Sequence, residues 1–360
     1  MNTHKKTPSG AREHGLGFRL KKYRSSYLLM APYMILFLLF TVIPGIASIL
    51  ISFTSFDMLS PPKFVGFLNY ERMLLDDPIF FKVLKNTLIF AFLTGPLSYL
   101  LSFLFAWLIA YAVLTAFKPM EEILIFPPRF YIKNPTADNF LELALMMEDS
   151  WVPLSRYIFN SLLISVVGTL GHLLLAGMAA YPLAKIPFPG RKGLKQVVVM
   201  SLLFTTSVTY IPMYMVMKYL HLIDTQWSMI LPAMQSSLGL YLMMNFMSTL
   251  PESMLEAARL DGAGEFRICF GLVMPNVKPA WMTLMIFSFQ GLWNATGTSY
   301  IYSEQLKMLS AITTTITAGG IARTGVSAAA ALLMMLPPIL LFVFAQNNVI
   351  ETMSNSGLKE

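Results

Sequence analysis

Seven long apolar runs constrain this chain more than any single residue does. They lie at about 27–53, 88–113, 158–184, 196–217, 227–247, 279–301 and 327–346. About 20 apolar residues suffice for a helix to cross the hydrocarbon core of a bilayer. Lipid offers no hydrogen bonds, so a crossing backbone must satisfy its own groups, as a helix does. The balance of 56% apolar and 12% charged residues fits this, because a soluble chain carries about a quarter charged residues. The fold class expected is an all-α polytopic membrane protein with about six to seven transmembrane helices. Pro32, Pro44 and Pro96 lie inside runs and predict kinks, and Gln235-Ser236-Ser237-Leu238-Gly239 interrupts the 227–247 run.

Charge gives the orientation. The net charge of +7 is concentrated early, in Lys5, Lys6, Arg12, Arg19, Lys21, Lys22 and Arg24, ahead of the first run. That places a basic tail, 1–24, in the cytoplasm against anionic membrane lipid and argues against nucleic acid as a partner. The first run is too long for the core of a cleaved signal peptide. The 185–195 connection carries Lys185, Arg191, Lys192 and Lys195 with no acid, so it too is expected in the cytoplasm. Counting two runs onward puts 248–278 on the same side.

Enzymatic chemistry is not expected. No Gly-rich phosphate loop ending in Lys-Ser/Thr occurs, so this chain is expected to bind no ATP itself. One cysteine, Cys269, excludes an intrachain disulfide, and four scattered histidines give no metal-ligand spacing. The runs hold almost no acids, which argues against an ion-coupled secondary transporter.

The stretch 251–275 is charged and helix-patterned in an otherwise membrane-like half. Thr249 and Glu252 flank Pro251 as a capping box does, predicting a helix over 251–261. Leu255, Ala258 and Met254 fall on one side, and Glu252, Glu256 and Arg259 on others; Glu256 and Arg259 are spaced to pair. Gly262 and Gly264 permit a sharp bend, and Phe266, Cys269 and Phe270 then recur at helical spacing. Pro275 and Pro279 suit the start of the next span.

The spacing Glu256-Ala257-Ala258, Gly262, Leu272, Met274-Pro275 resembles the EAA loop of ABC importer permeases, in the version of the maltose-type carbohydrate family. The resemblance implies a type I importer permease bundle in which this loop docks on a cytoplasmic ATPase. Glu256, Ala257, Ala258, Arg259, Asp261, Gly262 and Pro275 would carry that coupling. It further implies an ABC ATPase subunit that binds the ATP, a second permease subunit, an extracellular solute-binding protein and a bacterial-type plasma membrane. Residues 115–360 resemble the second permease of such systems, with landmarks Phe117-Lys118-Pro119, Asn160-Ser161, 188–192, 222–225 and Trp293-Asn294. Residues 27–110 resemble the partner permease instead, through Ser52-Phe53-Thr54, 64–70 and Asn86-Thr87-Leu88, so the joint falls near 112–117.

The expected organisation is a tail at 1–24, a membrane segment at 25–113, a polar connection at 114–156, a core domain at 157–348 containing the loop 250–276, and a tail at 349–360. Two copies of one pattern run through it. Asn69-Tyr70, Asn86-Thr87-Leu88 and Ala110-Tyr111 recur as Asn139-Phe140, Asn160-Ser161-Leu162 and Ala180-Tyr181. The seven runs also conflict with the charges. Counting from a cytoplasmic N-terminus puts 114–156 inside, whereas counting back from 185–195 puts it outside. Three resolutions stand: 88–113 does not span, 27–53 inserts the other way round, or the chain is a non-functional fusion of two adjacent permease genes.

Polar groups within spans mark a substrate path, since they are costly in lipid and turn inward. Gln290, Trp293 and Asn294 offer amides beside an aromatic face, which suits a sugar. Tyr241 and Asn245 form a second pair at i, i+4. The alternative for both is hydrogen bonding between helices.

Overall fold

The computed structural model describes residues 22–56, 60–77, 79–148, 152–204, 206–317, 320 and 323–356. Most of the basic tail, including Lys5, Lys6, Arg12, Arg19 and Lys21, lies outside the described residues.

The helices are α1 (Arg24–Phe37), α2 (Ile43–Ile51), α3 (Phe80–Ala116), α4 (Asp138–Glu148), α5 (Leu154–Lys185), α6 (Arg191–Ser201) and α7 (Thr206–Tyr219). Then come α8 (Trp227–Ala233), α9 (Ser237–Ser248), α10 (Glu252–Leu260), α11 (Glu265–Ile268), α12 (Lys278–Asn294), α13 (Leu309–Thr317) and α14 (Thr324–Ser356). Two strands of two residues each, β1 (Thr54–Ser55) and β2 (Lys63–Phe64), pair antiparallel.

α5 is the axis of the bundle, with α1, α8, α9 and α12 packed around it. It buries Ser161, Ser165, Gly168, Ala176, Gly177 and Ala180, small residues that let neighbouring backbones approach closely in a membrane. A π turn, Leu38–Val42, joins α1 to α2. It precedes Pro44, whose ring would strike the carbonyl of Phe40 in a regular helix. The same device, Cys269–Val273, precedes Pro275.

Hydrogen bonds fix which ends lie together. At one end, Tyr27 Oη donates to the Pro189 carbonyl (3.1 Å) and Lys185 Nζ meets Glu252 (3.1 Å). The start of α1, the basic 185–195 connection and the 249–277 segment therefore share this basic end. At the opposite end, Ser48 Oγ donates to the Val208 carbonyl (2.8 Å), Tyr214 stacks near Tyr300, and Asn160 Nδ2 donates to the Gln305 (2.8 Å) and Lys307 (3.0 Å) carbonyls. Asp224 locks the 220–226 turn to this end: its own N–H donates to the Tyr300 carbonyl, and its carboxylate accepts the N–H groups of Tyr302 and Ser303.

Among the described residues, the chain thus passes between the ends six times, through α1–α2, α5, α6–α7, α8–α9, α12 and α14. Three stretches, Arg24–Ile51, Leu154–Lys185 and Thr324–Gln346, are each a helix long and apolar enough to cross alone. Two expected spans are broken instead: 196–217 between Ser201 and Thr206, and 227–247 between Ala233 and Ser237. The polar interruption at Gln235-Ser236 sits in the second gap. The 279–301 span stops at Asn294, and α14 runs on to Ser356, into the expected tail.

The seventh run becomes α3, 37 residues and about 55 Å long. Asn69 Nδ2 ties its connection to the Ser52 and Thr54 carbonyls, whereas Asn139 Nδ2 ties Ala116 to the opposite end. The chain therefore leaves α2 and returns at Ala116 on the same end. One more full crossing would finish on the wrong side, and no second helix long enough to cross lies among the described residues of 53–79. Residues 81–93 of α3 are exposed throughout. α1 starts at the basic end, so relative to 185–195 the first run is not inverted.

Candidate functional site

The 249–277 segment begins where α9 ends. α10 runs from Glu252 to Leu260 with Pro251 as its N-cap residue. The expected capping box does not form: Thr249 Oγ1 donates to the Phe246 carbonyl, and the Glu252 carboxylate is taken by Lys185. Leu255 is buried and seats the helix against the bundle, with Met254 and Ala258 packed beside it. Glu256, Ala257, Arg259, Asp261, Gly262 and Pro275 are exposed on the basic end.

Gly262 makes the bend at φ +79°, where an L side chain is strained although the space around it is open. Gly264 has an ordinary negative φ and serves as the N-cap of α11. The expected Glu256–Arg259 pair is replaced. Arg259 Nε reaches Glu265 Oε1 at 3.0 Å across the bend, and its Nη2 lies 3.4 Å from Tyr181 Oη. The two acceptors on α11 and α5 are better placed than Glu256, which faces solvent. Beyond the bend, Ile268 and Cys269 turn inward, whereas Phe266 and Phe270 stay 44% and 43% exposed. With Leu260, 88% exposed, they leave an apolar rim around the charged face of α10.

The polar residues proposed for a substrate path do not come together. Trp293 is 1% exposed, and its indole N–H donates to the Met334 carbonyl at 2.8 Å. The cause lies in α14, where Pro338 has no N–H to offer the carbonyl four residues back. Trp293 supplies the missing donor and so joins α12 to α14. Gln290 is exposed beside Pro338 and Phe342, and Asn294 is exposed at the end of α12. Tyr241 packs on the core of the basic half, and Asn245 is exposed one turn on.

A polar cleft exists elsewhere. A cavity of about 480 Å³ is lined by the Leu38–Val42 π turn, α6, α7, α8 and the 234–238 break, with Thr41, Ser201, Tyr210, Gln235, Ser236 and Tyr300 on its walls. The unwound turn is held from behind: the buried Tyr33 hydroxyl donates to the Gln235 and Ser236 carbonyls, each at 3.1 Å. Irregular backbone survives at membrane depth only where protein or water meets its groups. Thr41 Oγ1 reaches Gln235 Oε1 at 2.5 Å and Ser201 Oγ reaches Ser237 Oγ at 2.8 Å. A second cavity of about 290 Å³ lies beyond Ser236 and Ala233 and touches His172, whose Nδ1 meets Ser288 Oγ at 2.7 Å. Any Cβ at 239 would stand 2.2 Å from His172 Nε2, so only glycine admits the ring. The sequence carried a signal for the larger cavity, because the residues that break the 227–247 run are its wall.

Comparisons with known proteins find a similar fold in a solved transporter and similar sequences among transport permeases. The solved structure of a bacterial ABC transporter involved in the import of the acidic polysaccharide alginate contains a chain that superposes with a TM-score of 0.60 at 20% identity, covering 72% of this chain and 96% of that one. Protein LplC of Bacillus subtilis is 38% identical over 134 residues, 37% of this chain and 45% of its own length. The polygalacturonan/rhamnogalacturonan transport system permease protein YtcP of Bacillus subtilis is 32% identical over 157 residues, 41% of this chain and 54% of its own. The chain is related to the permeases of sugar ABC importers. It spans about half the length of these two curated relatives. An arabinooligosaccharides transport system permease protein, AraQ of Halalkalibacterium halodurans, is matched over 98% of its length and 74% of this chain, at 26% identity. No family model matches the chain. With its apolar helices and permease relatives, it is a multi-pass membrane protein.

Proposed function

We propose that this chain is the transmembrane permease subunit of an ATP-driven carbohydrate importer. The observation that carries the reading is the 249–277 segment, a charged helix and glycine bend projecting from the basic end. Glu256, Arg259 and Asp261 present charge there, Ala257 and Ala258 allow close approach, and Leu260, Phe266 and Phe270 offer apolar contact. A partner ATPase subunit would bind and hydrolyse ATP and press on this surface. A second permease would complete the pathway, and an extracellular solute-binding protein would deliver the sugar to the opposite end. The basic end is then cytoplasmic, the N-terminus with it. The path for the sugar is the larger cavity, whose hydroxyls, amide and tyrosine rings match a ligand with hydroxyls and apolar ring faces.

The test is co-purification with an ABC ATPase and nucleotide-dependent sugar uptake in vesicles. Gly262→Val is expected to abolish uptake while leaving membrane insertion intact, because a β-branched residue is disfavoured at positive φ. Normal uptake by that variant would remove the coupling role. A second reading, a fusion of two adjacent permease genes that does not transport, is favoured by one observation: α3 begins and ends a segment that cannot be a seventh crossing. A single intact reading frame with these flanks in the source locus, found by long-read sequencing, would exclude it.

A further inference from the structure

We propose that Tyr181 and Lys185, one turn apart at the end of α5, are positioning residues that clamp both halves of the 249–277 segment to the axis of the bundle. A push on the segment then moves α5 instead of being absorbed at the Gly262 bend. The inference rests on the coupling role proposed above.

The two helices of the segment are too short to hold themselves. α10 has nine residues, and α11 with the π turn and the 274–276 turn that continue it has twelve; helices of that length are marginal in water alone. Gly262 between them stands at φ +79° with open space around it, so no side chain packs into the joint, which is bridged by the Arg259–Glu265 pair. Beyond the apolar seating of Leu255, Ile268 and Cys269, the polar contacts that hold each half come from α5. The Lys185 side chain is 4% exposed, and its ammonium donates to the Ser248 carbonyl (2.9 Å), the Leu250 carbonyl (2.5 Å) and Glu252 Oε1 (3.1 Å). All three donors of the ammonium are used, which is the condition for burying it without a large desolvation cost. The first two acceptors are carbonyls at the end of α9, and the third is the first residue of α10. One side chain therefore holds the start of the segment.

Four residues earlier, the Tyr181 hydroxyl donates to Glu265 Oε2 at 2.5 Å. Glu265 also takes Arg259, from the last turn of α10. This second point ties the end of one helix and the start of the other to the same face of α5. The end of α5 is itself kept helical, since Arg191 donates to the Leu183 (2.8 Å) and Ala184 (2.5 Å) carbonyls.

Cys269, the only thiol in the chain, reports on the second half of the segment. It is fully buried, and burial together with the charge of Glu265 pushes its thiol up to about 12, so it reacts slowly while the clamp holds. The experiment is the rate of N-ethylmaleimide labelling of the full chain in native membranes, scaled to labelling after denaturation. Tyr181→Phe keeps the ring and removes the hydroxyl's two hydrogen bonds, to Glu265 and from Arg259; Lys185→Met keeps the length and removes the ammonium. Each is expected to raise the rate about tenfold, and Lys185→Arg to return it toward the starting value. Unchanged rates in both variants overturn the clamp.

A second arm uses the chain reconstituted with its ATPase, second permease and binding protein. Solute moved per ATP hydrolysed is expected to fall several-fold in Tyr181→Phe while hydrolysis continues, a split that loss of folded protein does not produce. An unchanged ratio overturns the transmission role. Absence of nucleotide-driven uptake by the unmutated chain defeats the proposed function instead, and the labelling arm still decides the clamp.

Discussion

The two copies of the internal pattern are built alike at their first asparagine and differently at their second. Asn69 Nδ2 donates to the Ser52 and Thr54 carbonyls, both at 2.9 Å. Asn139 Nδ2 donates to the Ala116 (2.9 Å) and Lys118 (2.7 Å) carbonyls. In each, one amide bridges alternate carbonyls just past a helix end, and the neighbouring aromatic meets the residue between: Tyr70 with Phe53, Phe140 with Phe117. The second asparagines part company. Asn160 is fully buried, donates to Gln305 and Lys307, and accepts from Gln226 Nε2 at 2.9 Å. Asn86 is exposed on α3. A local device needs only its own neighbours in sequence, so it recurs wherever the pattern does. A device that needs the 304–307 loop works once, because this chain supplies one such loop.

That contrast can be broken by substitution. Asn160→Leu strands two carbonyls and the Gln226 amide in the bundle, and is expected to destabilise by about 3 kcal/mol or more, whereas Asn86→Leu should stay within about 0.5 kcal/mol. Thermal unfolding of both variants in detergent checks this; equal losses would mean that α3 is packed as α5 is. For the first asparagines, Asn139→Ala and Asn69→Ala are both expected to destabilise, Asn139→Ala by about 2 kcal/mol and Asn69→Ala by about half as much, since Asn139 is buried and Asn69 only partly so. Hydrogen exchange at 116–118 and 52–54 reads the two sites separately.

The smallest effect is a pH dependence confined to the second region. Ser303 and Tyr302 hold Asp224 below its ordinary carboxylate value of 3.8, and Lys307 and Tyr157 hold Glu304 below 4.5. A depressed carboxylate contributes stability at pH above its unfolded value and loses it as pH falls through the folded one. Protection of the 300–307 amides, taken relative to intrinsic exchange at each pH, is therefore expected to fall below about pH 3.8, and protection around Asn69 to stay flat, because amide–carbonyl bonds do not titrate. Asp224→Asn should remove most of the dependence while tolerating the positive φ of 60° at that position.

The 249–277 segment shows how far sequence reaches. The helix over 251–261 and the bend at Gly262 were legible, since heptad-scale polarity and a glycine past the helix end are local signals. The partners of Glu252 and Arg259 were not, because Lys185 and Glu265 compete for them from elements that only packing brings close. The surroundings of the substrate-path candidates were not legible for the same reason. Trp293 reads as a sugar platform until Pro338 leaves the Met334 carbonyl without a donor. Gln235 and Ser236 read as a flaw in a span until Tyr33 holds their backbone and the break becomes the wall of a cavity.

Sequence by itself determined that this chain folds as membrane helices, and that one charged bend stands outside them. Both follow from hydropathy and backbone chemistry over short windows. Only the tertiary structure decided that six passes connect the ends, that the seventh run is not one of them, and which polar groups line the cleft. Those depend on which carbonyls lack donors after packing, and that is a property of neighbours in space.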